Sequence, residues 1–156
     1  MTILANIPIW VFPLFILLLV VGLRAMQRRH LPVALIYSIP LLGVLGLRAI
    51  IALPAGMWIW FVFAGFGAFG VRAGMAVQKR WLIARDGNRV ELAGEPLTLI
   101  LMMSVFAGNF VVGMLSEVAP EVLTMALFQF GFAALLSTVS GVFCGRALWV
   151  FRTSGA

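Results

Sequence analysis

Gly65, Gly67 and Gly70, within AGFGAFGVRAG, spell G-x-G-x-x-G. In a strand-to-helix loop that spacing lets backbone N–H groups approach a pyrophosphate. The run before it, residues 58–64, is aromatic and β-branched enough to form a strand. Asp86 follows Gly65 by 21 residues, near where a ribose-binding acid is expected. Other chemistry-bearing residues are few. One histidine, His30, and one cysteine, Cys144, argue against a zinc site, a bis-His haem site and an intramolecular disulfide. No Ser–His–Asp set can be assembled around that histidine, and the carboxylates read as a pair are Glu117 and Glu121, four apart around Pro120. The residues therefore point to no metal and no cofactor, and leave an enzyme as the weakest of the readings.

The elements that must position these residues decide among the readings. The chain has 156 residues, 63% hydrophobic and 10% charged, with a mean hydropathy of +1.14. A soluble domain carries about 25% charged residues, so the composition predicts an integral membrane protein, all-α and polytopic. Apolar runs of helix length predict five spans, at about 7–23, 31–53, 57–77, 97–115 and 122–145. Together they form one transmembrane domain. Residues 78–96 are the one sizeable polar stretch. WLIARDGNRVEL, with Asp-Gly at its centre and β-compatible flanks, predicts a small hairpin with Trp81 at the membrane interface. His30, before Leu31-Pro32, reads as an interfacial cap at the start of span two, and Pro40 as a kink within it. No basic stretch precedes the first apolar run, so no cleavable signal peptide is expected.

Charge orients the spans. Arg24, Arg28 and Arg29 follow span one, Lys79, Arg80, Arg85 and Arg89 follow span three, and Arg146 and Arg152 end the chain. The opposite segments hold only Glu117 and Glu121. Nine of the eleven basic residues thus share one side, which predicts an outer N-terminus and a cytoplasmic C-terminus. Anionic inner-leaflet lipid is the natural counterpart of a net charge of +6, and a nucleic-acid partner is not needed.

Polar groups inside the spans require a reason. Arg48, Asn109 and Gln129 fall at one depth in the outer third, with Glu117 and Glu121 above them. This layer has two readings. It is a set of snorkelling and helix-bridging residues, or a small site for an anion or polar molecule in a dimeric transporter or channel. Arg72 and Arg146 read as inner-interface basic residues, Arg72 snorkelling to the cytoplasm and Arg146 marking the end of span five beside the interfacial anchor Trp149. Gly67, Gly70 and Gly74 in span three, and Gly141 and Gly145 in span five, form G-x-x-x-G seams. Such seams let backbones approach closely, against a neighbouring helix or a second protomer. Treating residues 57–77 as strand, loop and helix would remove a span and place basic loops on opposite sides. The glycines are therefore assigned to packing, and Asp86 to the hairpin turn.

The second half resembles a family of small bacterial inner-membrane proteins distantly like the CcdC proteins. The likeness is carried by AGEPLTLILMMSVFAGNFVVGML and SGVFCGRALWVFR, that is by Gly94, Pro96, Leu97, Phe106, Phe110, Gly113, Ser140, Gly141, Gly145 and Arg146. Relatives often carry lysine where this chain has Asn109. The resemblance implies a small polytopic protein, linked by analogy to thiol-redox or cytochrome assembly. A chain with one cysteine would not itself carry thiols. The expected function is non-enzymatic: a subunit, assembly factor or scaffold acting through helix association, as a homo-oligomer or with a membrane partner protein.

Overall fold

The computed structural model describes residues 11–32, 47, 49–51, 55–86 and 89–153. Helix α1 (Val11–Ala25) leads into strand β1 (Arg29–Pro32). Helix α2 (Trp58–Trp81) is followed by strands β2 (Leu82–Asp86) and β3 (Arg89–Leu92). Helix α3 (Leu97–Val118), the short helix α4 (Pro120–Leu123) and helix α5 (Ala126–Arg152) complete the described chain. Three helices, α2, α3 and α5, are long and apolar enough to cross a membrane. The 24 residues of α2 extend about 36 Å at 1.5 Å per residue, with Trp58 and Trp60 at one end and Trp81 at the other. That is the placement expected of interfacial aromatics. Most of span two lies outside the described residues.

The expected hairpin forms, but within a three-stranded sheet of order β1-β3-β2. Asp86 pairs with Arg89 across the connection. Strand β1 adds antiparallel to β3, with His30 opposite Glu91 and Leu31 opposite Val90. Leu31 and Pro32 therefore belong to a strand rather than to the start of span two, and His30 caps no helix. A two-stranded ribbon is marginal alone, and a third strand occupies one of its open edges. Val90 and Leu92 turn their side chains onto Ala147 and Val150 of α5, so the sheet rests against the end of that helix.

Other boundaries shift for identifiable reasons. α2 runs to Trp81 rather than 77, because Gln78 is buried beside α5 and Lys79 and Arg80 suit a helix C-terminus. α3 continues to Val118 rather than 115. Pro120 opens the separate turn α4, and α5 begins at Ala126 rather than 122 and continues to Arg152 rather than 145. The continuation keeps Ala147 and Val150 under the sheet.

The helices associate in two ways. α1 runs antiparallel to α3, with Phe15 and Phe106 at 5.6 Å between ring centroids and Gly22 against Leu99. α2 and α5 make the most extensive contact of the described chain. Gly70 meets the Thr138 carbonyl and Gly74 the Val142 carbonyl, while Gly141 and Gly145 receive the carbonyls of Gly67 and Val71. The partner numbers rise together along both helices, so the pair is parallel. A Cβ at any of these four glycines would overlap backbone of the facing helix. Gly67 itself is less confined, 3.9 Å separating the place of its Cβ from the Ser137 carbonyl. α2 and α5 thus both end beside the sheet, which α1 also reaches by its C-terminus. That end is called the sheet end. Glu117 and Glu121 lie at the opposite, far end.

Candidate functional site: a buried polar cluster at the sheet end

The α2–α5 register has a chemical consequence. Gly70 faces Thr138 and Gly74 faces Val142. One turn further, the same register brings Gln78 to Arg146. There the glycines stop, and the space between the helices is taken by polar side chains. Arg146 is only 6% exposed. Its Nε donates to Gln78 Oε1 at 2.9 Å, its Nη1 to Thr98 Oγ1 at 2.9 Å, and its Nη2 to Glu95 Oε1. Thr98 Oγ1 in turn donates to Glu95 Oε1 at 2.8 Å. Gln78 and Glu95 are each 1% exposed and Thr98 is 4% exposed.

Glu95 reaches this depth because the chain around it is pinned. Its backbone N–H donates to the Ala25 carbonyl at 3.0 Å. Gly94 lies so close to Met26 that a Cβ there would overlap the Met26 carbonyl. Ala93 N–H donates to the Trp81 carbonyl at 2.9 Å. The loop before α3 is thereby tied to the ends of both α1 and α2, and its carboxylate points at α5. All three nitrogens of the guanidinium have protein acceptors, and its charge is balanced by one carboxylate. Chemically this is a tether between helices rather than an anion-binding pocket. One atom of each amide and acid, Gln78 Nε2 and Glu95 Oε2, has no hydrogen-bond partner among the described residues.

The residues singled out from sequence are distributed as follows. Arg146, at the sheet end, is buried. It is drawn inward because Glu95, Thr98 and Gln78 supply a complete set of acceptors. Arg72 is exposed on α2. Asn109 is exposed and its Nδ2 donates to the Val105 carbonyl of its own helix at 2.8 Å. Gln129 is buried and its Nε2 donates to the Leu123 carbonyl at 3.0 Å. Glu117 and Glu121 are both exposed at the far end. These two bonds run from Asn109 to its own helix and from Gln129 to the turn before α5. Arg48 and Pro40 lie outside the described residues. Among the described residues, no group of three or more His, Cys, Asp or Glu could hold a metal ion.

Glu95, Gln78 and Thr98 escaped the sequence reading. Each stands in or beside a polar stretch, where a solvated side chain is the ordinary outcome. One signal was available: Gln78 continues the i, i+4 column of Gly70 and Gly74, and Arg146 continues that of Thr138 and Val142. No family model, curated protein or solved structure matches the chain.

Proposed function

We propose that this chain is a non-enzymatic, multi-pass protein of a bacterial inner membrane, acting through helix association as a subunit, assembly factor or scaffold. The observation that carries the reading is the contrast between the four seam glycines and Gly131. Gly70, Gly74, Gly141 and Gly145 are accounted for by the internal α2–α5 seam. Gly131 on α5 is not, since nothing lies within 4 Å of where its Cβ would be. It borders a shallow groove of about 520 Å³ between α3 and α5, bounded by Ser104, Gly108, Val111, Leu127 and Leu135. Leu127 on its rim is 84% exposed. A glycine inside a helix costs about 1 kcal/mol relative to alanine, and close approach by another helix is what offsets that cost in a bilayer.

The topology proposed from sequence has further support. Basic side chains gather at the sheet end and the exposed acids Glu117 and Glu121 at the far end, as the positive-inside rule requires if the sheet is cytoplasmic. Pro32 lies at the sheet end and Trp58 at the far end, which supports another crossing between them and five in all. The resemblance to CcdC-like proteins fits this reading. The transporter reading draws on Arg48, Asn109, Gln129, Glu117 and Glu121, and no specific observation favours it.

Filling the groove tests the proposal. Gly131→Leu should abolish or sharply weaken association, measured by crosslinking in native membranes and by mass of the purified complex. Thermal stability should hold, because the added side chain enters open space. Unchanged association in a folded Gly131→Leu chain would remove the groove as the contact surface.

A further inference from the structure

Of the five acids, Asp86, Glu91 and Glu95 stand at the sheet end. Among the described residues Glu91 pairs with Arg28 at 3.7 Å and Glu95 with Arg146, while Glu117 and Glu121 lie at the far end. On the outer flank of the α2–α5 pair, Lys79 and Arg152 are both exposed and have no carboxylate partner among the described residues. Yet both are gathered to one patch. Lys79 Nζ stands 5.9 Å from the centroid of the Trp149 ring, and Arg152 Nη1 lies 4.0 Å from Met75 Sδ. Met75 is one turn from Lys79 on α2, and Trp149 is one turn from Arg152 on α5. The two cations thus flank a floor made of a thioether and an indole.

The patch is graded along the helix. Moving away from the sheet end, Lys79 and Met75 are followed on α2 by exposed Arg72, and Phe69, one turn beyond Arg72, is 64% exposed. Cationic groups at one end and apolar side chains toward the middle of the helix match an amphiphile lying against the protein, headgroup to sheet end. Two like charges gathered on one patch also favour an anion there.

We infer that the Lys79–Trp149–Arg152 patch binds the phosphate of an anionic phospholipid, whose acyl chains run along Phe69. The ligand chemistry is a phosphate oxygen between an ammonium and a guanidinium, with the indole at headgroup depth. A free phosphate ion offers the same oxygens but gains nothing from Phe69, and an exposed ion pair alone is worth little. The lipid is the occupant because its tails hold it at the patch. This inference rests on the reading of the chain as a membrane protein, and not on its orientation or on any helix partner.

Native mass spectrometry of the full chain in detergent micelles, offered equal amounts of phosphatidylglycerol and phosphatidylcholine, tests it. The wild type should retain phosphatidylglycerol preferentially. Lys79→Gln with Arg152→Gln should lower that preference about 25-fold, from roughly fivefold per cation beside an anionic headgroup. Lys79→Arg with Arg152→Lys should restore it. Arg24→Gln with Arg28→Gln removes the same charge from another exposed place and should leave it within about twofold of wild type. An equal loss in that control, or equal retention of the two lipids by the wild type, would overturn the site. Displacement of phosphatidylglycerol by millimolar inorganic phosphate would overturn the lipid assignment in favour of a free anion. Both cations are exposed, so the variants keep the fold. Micelles remove cellular orientation, and Gly131→Leu should bind lipid as the wild type does, so failure here is distinct from failure of the association reading.

Discussion

Arg146→Leu is expected to be the most destabilising single substitution in the polar cluster, at about 3–5 kcal/mol. The leucine leaves Glu95, 1% exposed, as a buried carboxylate whose remaining bond is from Thr98. Gln78 Oε1 loses its donor at the same time. A chain of this size shifts its Tm by about 2–4 °C per kcal/mol, so thermal unfolding in detergent should fall by roughly 10 °C. Arg146→Lys should rescue little, because one ammonium cannot reproduce the planar fork that meets three acceptors. Glu95→Leu combined with Arg146→Leu should be more stable than Arg146→Leu alone, since the double variant buries no unpaired charge. A double variant no more stable than the single one would show that the pair does not carry the tether.

The second large effect is steric. Gly74→Ala adds one carbon, which overlaps the Val142 carbonyl, and that atom belongs to backbone that cannot rotate away. The loss should be about 1–3 kcal/mol, and greater for Gly74→Leu. Gly145→Ala should behave alike, against the Val71 carbonyl. Gly65→Ala supplies the internal comparison. Nothing lies within 4 Å of its Cβ position, so alanine there should gain up to about 1 kcal/mol from helix propensity. Unfolding curves of the three variants in one detergent decide the matter. Equal effects of Gly65→Ala and Gly74→Ala would refute the seam as a close backbone contact.

The glycine pattern shows how far spacing can lead. Gly65, Gly67 and Gly70 have the spacing of a nucleotide loop, but α2 continues through them as one helix to Trp81. A loop reading was excluded by length and charge, because the apolar run around the glycines is needed as a span. That G-x-x-x-G favours close helix contact was also legible. Which helix receives it was not, since the motif says nothing about the identity of its partner. A neighbouring helix and a second protomer make the same demand on the residue type.

The hairpin was legible for a local reason: Asp-Gly with β-compatible flanks specifies its own turn. Strand β1 was not, since RHLP has little strand character of its own and pairs only because β3 offers an open edge. Arg146 shows the same limit at a single residue. Its place near the end of an apolar run is equally compatible with snorkelling to water, and only the convergence of three segments makes the inward rotamer favourable.

Composition, run length and the sidedness of Arg and Lys by themselves established apolar helices long enough to cross a membrane, a polar hairpin between two of them, and small-residue faces. These are local or additive properties, set by hydrophobic transfer and turn geometry within a few residues. The tertiary structure alone decided that α2 and α5 lie parallel in the register that sets Gly70 against Thr138 and Gln78 against Arg146. It alone placed Glu95 beneath the sheet end and Lys79 beside Trp149. Such pairings join residues about 50 to 70 positions apart. Their energy depends on geometry that exists only once the helices have packed.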